Sequence, residues 1–256
     1  MQHTVKKIFD ECADHYATER ERLPYFRAQI KIMLSMLSGQ TGETILDIGC
    51  AAGAEIPSLR ALGFKVIGVD FSERMLQFCE ARFEGDDQVA LLCVDAEHIP
   101  LSQNSVDHVV CLGLFEFLND YSLAITEISR VLRPSGLAVF AIPSRISLYN
   151  LSYRFVDATL GKLWRIAKRI LGRKPPSPFE HRVRRNLCIP WRFRKLLREH
   201  GFHPERSAYS NFFIYPLDRF PQLDRKVSAL LEPLASVPLL RMGASVYLVS
   251  ARKNET

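Results

Sequence analysis

The chain predicts an α/β fold, doubly wound, and three observations carry that prediction. Apolar, strand-like runs recur at Thr44–Ile48, Lys65–Val69, Val89–Val94, Asp107–Leu112 and Leu137–Ile142. Helix-like segments lie between them at Glu55–Leu62, Ser72–Phe83 and Tyr121–Leu132. The first run ends in a glycine-bearing turn, "ILDIGCAAGAE", where open α/β sheets place their ligands.

The elements can be justified in order. Val5–Leu37 has helical spacing of apolar residues, interrupted near Leu23-Pro24, because proline ends one helix and can start the next. After Gly39 the period shortens and strands alternate with helices, which requires a parallel sheet with crossover helices on both faces. Ser72 stands where an N-cap would, and Pro134-Ser135-Gly136 is read as the stop of the third crossover helix. Beyond Pro143 the rhythm breaks. Ile146–Leu171 reads as a helix, Gly172–Ile189 as a basic loop, Trp191–His200 as a short helix stopped by Gly201, and Ala244–Ala251 as a final strand.

Composition narrows the function. Of 256 residues 47% are apolar and 24% charged, which fits a folded protein and argues against global disorder. No basic flank, apolar stretch and cleavage site open the chain, so the expectation is a cytoplasmic protein. The six cysteines are scattered without a C-x-x-C pair and read as reduced thiols; no metal site is expected. The net charge of +6 is uneven: Leu151–His200 carries 14 Lys and Arg against 3 Asp and Glu, and the remainder is mildly acidic.

The glycine turn separates nucleotide classes. A dinucleotide loop wants G-x-G-x-x-G, and a phosphate loop wants G-K-[ST]; Gly49-Cys-Ala-Ala-Gly53 is neither. An aspartate two residues before the first glycine, and Asp70 at the end of the next strand, remain. This set resembles the class I S-adenosylmethionine-dependent methyltransferases, of the quinone-biosynthesis or type 11 group, whose first strand leads into D-x-G-x-G-x-G. "VIGVDFSERML", "VDAEHIPL", "VDHVVCLGLFEFLND" and "RVLRPSG" follow in the family's order, so the likeness spans roughly Phe9 to Gly136. Ala51 replaces the commoner middle glycine, and the turn is expected to survive with Ala51 at φ < 0.

The resemblance implies a mostly parallel seven-stranded sheet and S-adenosyl-L-methionine as cofactor, with S-adenosyl-L-homocysteine as product. It divides the chain into an N-terminal helical lid (1–38), a cofactor-binding core (39–145 and 190–256) with a helical or loop insertion at 212–240, and an amphipathic basic insert (146–189) over the acceptor site. It also implies roles for single residues. Gly49 lets the backbone approach the methionine end, Gly53 completes the turn, and Asp47 helps hold the ammonium. Asp70, followed by Phe71, accepts from ribose hydroxyls, since both carboxylate oxygens are acceptors. Asp95 and Ala96 meet the adenine, Gly113 offers a carbonyl to the methionine amine, and Tyr16 belongs to the lid. Each has a structural reading beside it: Asp47 as a capping carboxylate, Gly53 as a helix-packing glycine, Asp70 as the start of a helix, Tyr16 as core.

For chemistry the sulfonium is already reactive, so alignment matters most. In many relatives the loop after the fourth strand reads E-H; Glu116-Phe117 stands here, which leaves Glu116 and, from the insert, His181 as the catalytic candidates. Val156, Leu160, Leu163, Ile166, Ala167, Ile170 and Leu171 share one helical face, with Lys162, Arg165, Lys168 and Arg169 on another. Such a helix suits either a lid or peripheral contact with an anionic inner-membrane surface. The expected acceptor is therefore small and hydrophobic, lipid-linked or polyketide-like. A nucleic-acid methyltransferase and a non-catalytic cofactor-binding scaffold are the alternatives. The absence of N-P-P-[YF] after the fourth strand, where Gly113-Leu-Phe-Glu stands, argues against nucleic acid. Oligomeric state is left open.

Overall fold

A computed structural model describes residues 2–39, 41–118, 120–155, 158, 186–212, 221–231, 233, 237 and 240–255. Seven strands form one sheet: β1 (Thr44–Ile48), β2 (Lys65–Asp70), β3 (Val89–Cys93), β4 (Val106–Leu112), β5 (Leu132–Pro143), β6 (Phe202–Ser210) and β7 (Val246–Lys253). Their order is β3-β2-β1-β4-β5-β7-β6, with β1 to β5 parallel and β7 running against both β5 and β6. The strand order therefore reverses between β1 and β4, and the carboxyl ends of those strands open a crevice there.

Both faces of the sheet are covered. Helix α1 (Gln2–Arg22) packs through Val5, Phe9 and Ala13 on Phe26, Ala51 and Met75, while α2 (Pro24–Met36) and α3 (Ile56–Ala61) bury Met33, Met36, Ile56 and Leu59 near Val110, Val139 and Leu248. On the other face α5 (Tyr121–Val131) and α6 (Pro190–Glu199) bury Ile125, Ile128, Phe193 and Leu197 against Val109, Phe140 and Tyr247. Helix α4 (Glu73–Arg82) follows β2, and α7 (Pro221–Leu231) precedes β7. Ser72 caps α4 as expected, accepting from the Met75 N–H at 3.1 Å.

Four expectations are corrected. The helix before β5 ends at Val131, ahead of the proline, and Leu132 is already extended; Pro134-Ser135-Gly136 lies within β5, which Ser135 turns at φ +61°. Strand β6 was not expected from its sequence. "FHPERSAYS" holds a proline and three charged or ring-nitrogen side chains, as an edge strand with an exposed side can. The final strand begins at Val246 rather than Ala244 and runs to Lys253. Ala51 adopts φ +47°, not φ < 0, because that twist aims its N–H at Asp70 Oδ2, 3.0 Å away.

A left-handed alanine carries strain of about 1 kcal/mol. Ala51→Gly is thus expected to stabilise the protein slightly, by up to about 0.5 kcal/mol, once the entropy that glycine adds to the unfolded chain is subtracted. Chemical denaturation of both proteins checks this; a destabilised variant would contradict it. After β5 a helical segment spans 148–155. The remainder of the expected helix to Leu171, and the basic loop as far as 185, lie outside the described residues.

Candidate functional site

The crevice between β1 and β4 is a cleft with about 450 Å³ of open space, its solvent-filled mouth included. Five of the residues picked out from sequence line it: Gly49, Asp70, Phe71, Asp95 and Ala96. Val5 of α1 closes one side, and Leu114, Phe117 and Leu118 another.

The turn after β1 is built so that backbone faces this cleft. The N–H groups of Gly49 and Cys50 both donate to the Val69 carbonyl, at 2.8 and 3.1 Å. Gly49 has φ +78°, and a Cβ there would come within 3.3 Å of Leu114, so any side chain would be strained as well as crowded. Gly53 serves a different purpose. A Cβ on it would sit 2.6 Å from Cys79 Sγ and 2.8 Å from Phe83, so its bareness lets the turn pack on α4.

Asp70, at the tip of β2, is buried and accepts from Ala51 N–H at 3.0 Å and Ser72 N–H at 2.9 Å. Burial nevertheless raises its carboxyl to about 6 against those donors. The Phe71 N–H is a further donor to this carboxyl, and part of its acceptor capacity remains for a ligand. Asp95 Oδ1 accepts from the Glu97 N–H at 3.0 Å, and Ala96 is buried beside it.

A polar recess adjoins the cleft. Asp47 is 1% exposed and its Oδ2 has no hydrogen-bond partner. Burial, with Glu55, Cys79 and Asp70 nearby, pushes its carboxyl well above the ordinary value, while Arg20 pulls the other way. Burial likewise raises the Tyr16 hydroxyl to about 12, opposed by Arg20.

Arg20 is the residue that sequence reasoning missed. From α1 it donates to Tyr16 Oη at 2.7 Å and to the Leu112 carbonyl at 3.2 Å, and stands 3.7 Å from Glu55. Its guanidinium stacks 4.3 Å from the Phe26 ring centre. Burial opposes its charge, but Tyr16, Glu55 and Glu116 outweigh that and raise its pKa. The only sequence signal was its spacing of one helical turn from Tyr16, which puts both on one face of α1.

Gly113 and Glu116 belong to the same recess. A Cβ on Gly113, which has φ +82°, would lie 3.3 Å from Arg20 Nη2 and 3.6 Å from Glu116 Oε1. Asn186, at the end of the basic insert, is tied to this loop. Its N–H donates to the Glu116 carbonyl at 2.8 Å and its side chain to the Leu118 carbonyl. His181 lies outside the described residues.

Helix α1 roofs both spaces. Asp10 accepts from the Ser72 hydroxyl at 2.5 Å, and Phe9 meets Phe71, Phe117 and Tyr16 edge-on at 6.2, 5.2 and 5.8 Å. The residues present fit an adenosyl cofactor on three observations. A bare Gly49 cradle faces a hydrophobic slot, Asp70 has spare acceptor capacity at the strand tip, and the orphaned Asp47 oxygen lies in a recess that also holds one guanidinium. Among the described residues no cluster suited to a metal ion occurs.

Comparison with known proteins agrees. A methyltransferase domain family matches residues 46–140, from β1 into β5. A demethylmenaquinone methyltransferase of Staphylococcus epidermidis is 31% identical over 175 residues, 64% of this chain and 73% of that protein. Its counterpart in Staphylococcus carnosus is 29% identical over the same shares. Among solved structures, a methyltransferase of Thermotoga maritima superposes with a TM-score of 0.65 at 17% identity, covering 99% of this chain and 100% of that one. One from Mesorhizobium loti gives 0.59 at 18%, covering 87% and 96%. With the strand-tip carboxylate, the bare glycine turn and these relatives in agreement, the chain belongs to the class I S-adenosylmethionine-dependent methyltransferases of the type 11 group and uses S-adenosylmethionine as its cofactor.

Proposed function

We propose that this methyltransferase acts on a small hydrophobic acceptor, a reduced quinone or a similar ring. The observation that carries the reading is the aromatic and aliphatic lining of the cleft: Phe71, Leu114, Phe117 and Leu118 line it, and Phe9 packs edge-on against Phe71 and Phe117. The names of the staphylococcal relatives support the same class of acceptor.

When bound, the cofactor supplies an electrophilic methyl on a sulfonium, so the protein's task is mainly alignment and exclusion of water. Asp70 holds the ribose, Asp95 and Ala96 the adenine end, and Gly49 admits the chain of the methionine. Asp47 and Arg20 meet its two charged ends, the Asp47 carboxylate toward the ammonium and the guanidinium toward the carboxylate. Gly113 contributes a backbone carbonyl on the same side, and Gly53 keeps the turn seated on α4. Tyr16 fixes Arg20, and α1 acts as the lid over both. Glu116 takes the proton from an acceptor hydroxyl, the role that Phe117 cannot fill. His181 is the second candidate for that role.

The basic insert reaches the acceptor side through Asn186, which supports a covering role for residues 146–189. Exposed Leu151, Phe155 and Trp191 near its ends, with the cationic outer face of α6, support peripheral contact with an anionic membrane. Among the described residues no helix is long and apolar enough to cross one.

The reading is tested by supplying cofactor labelled in its methyl group to a cell extract. Label should enter an organic-soluble fraction; label confined to the nucleic-acid fraction would replace this reading with the alternative. A pH dependence also follows. Asp70 titrates near 6, and ribose hydroxyls bind its ionised form more strongly. Cofactor affinity should therefore be level above pH 7 and fall by roughly tenfold at pH 5. Without cofactor the sign is opposite. The Asp70 contribution to stability is fully present below its ordinary value of 3.8 and is lost as pH rises through about 6. Calorimetric titration with S-adenosylhomocysteine checks the first statement; an affinity flat from pH 5 to 8 would contradict it.

A further inference from the structure

Two arginines at the far side of the same sheet end have no carboxylate partner among the described residues. Tyr209 of β6 and Tyr247 of β7 are register partners with ring centres 5.1 Å apart. Arg241, in the turn Leu240–Gly243 that leads into β7, places its guanidinium 5.5 Å from the Tyr209 ring centre. Arg194 comes from α6, donates to the Pro204 carbonyl at 3.2 Å, and lies beside Tyr247. Burial raises the hydroxyls of both tyrosines; Arg194 lowers both, and Arg241 acts on Tyr209.

The polar atoms here are poorly satisfied. Tyr247 is 1% exposed and its hydroxyl has, among the described residues, only Arg194 and Ser207 close to it, neither in good hydrogen-bond geometry, while the buried Nε of Arg241 has no partner. Among the described residues no carboxylate pairs with Arg194 or Arg241, although most other arginines of the core have one. Two partly buried cations beside a buried phenol that is poorly bonded are costly as they stand. An anion with two or three oxygens would satisfy them together, since a guanidinium fork matches carboxylate and phosphate geometry.

We propose that Arg194, Arg241 and Tyr247 form an anion-binding site for a carboxylate or phosphate group. Strands β7 and β6 lie two and three places from β4, so the site is about 10–14 Å across the sheet from the loop that borders the cofactor cleft. The anion is therefore distinct from the cofactor. It is either free in solution or carried on the distal part of the acceptor, and only the second case rests on the acceptor reading above.

The test uses the full chain saturated with S-adenosylhomocysteine. Sodium phosphate and sodium acetate are titrated separately at constant ionic strength, with melting temperature and, for phosphate, ³¹P line width as readouts. Saturable stabilisation and broadening by phosphate, or saturable stabilisation by acetate, are expected. The midpoint should move at least tenfold higher in Arg241→Gln and in Tyr247→Phe. Both variants should keep wild-type affinity for S-adenosylhomocysteine, and Tyr247→Phe should melt no lower than wild type without anion. In methyl transfer to a lipid extract, competition by the bound probe against the acceptor assigns the anion to the acceptor; binding without competition assigns it to a separate ligand. No saturable response to either probe, or equal responses in wild type and both variants, would overturn the site.

Discussion

Arg20→Met is expected to lower stability by about 3–5 kcal/mol, because it leaves Glu55 and Asp47 buried without their cation. At this chain length that is a fall in melting temperature of roughly 6–20 °C. The loss should be larger at pH 8 than at pH 5. Both carboxyls titrate above their ordinary values and are increasingly protonated as pH falls, when they need a counter-charge less. Cofactor affinity should fall with it, since the guanidinium is the cation of the recess. Arg20→Lys is the control: it keeps the charge but cannot reach Tyr16 and Leu112 with the same fork. Scanning calorimetry of the three proteins decides the matter, and a shift under about 2 °C in Arg20→Met would show that the cluster is neutral as it stands.

Asp70→Ala should weaken cofactor binding by about a hundredfold, the loss of two hydrogen bonds to a charged acceptor. It should also destabilise the protein, because the N–H groups of Ala51 and Ser72 lose their buried acceptor. The two effects separate in Asp70→Asn. That variant keeps one acceptor oxygen and the shape of the site, so it should fold better than the alanine variant while still binding weakly. Unchanged affinity for S-adenosylhomocysteine in Asp70→Ala would remove the ribose role from this carboxylate.

The parts of the site that sequence made legible share one property: they are fixed locally. Asp47, Gly49 and Asp70 sit at the ends of β1 and β2, whose apolar runs are mostly buried, and Asp95 follows β3, an edge strand whose apolar run is unbroken, so strand and turn could be located together. The Ser72 cap was legible for the same reason. Strand β6 was not, because an edge strand tolerates Pro204 and a charged outer side and so lacks a periodic signal. The Ala51 conformation was missed because its cause, Asp70 Oδ2, lies nineteen residues away. Arg20 was missed for a stronger version of that reason: its partners Leu112 and Glu55 come from β4 and the first turn, and only the tertiary fold brings α1 over them. Gly53 was placed in the correct turn, but whether it faces ligand or helix depends on Cys79 and Phe83 of the next crossover.

The proposed function requires that an apolar acceptor meet the cofactor in the β1–β4 cleft. The most direct measurement supplies methyl-labelled S-adenosylmethionine and a reduced, demethylated naphthoquinone in detergent micelles. Product is then followed for wild type, Glu116→Gln and Asp70→Ala. Label is expected in the organic phase with wild type, with a fall in turnover at unchanged cofactor affinity for Glu116→Gln and a loss driven by cofactor binding for Asp70→Ala. No transfer by wild-type protein that binds S-adenosylhomocysteine tightly would contradict the acceptor reading and leave the cofactor site intact.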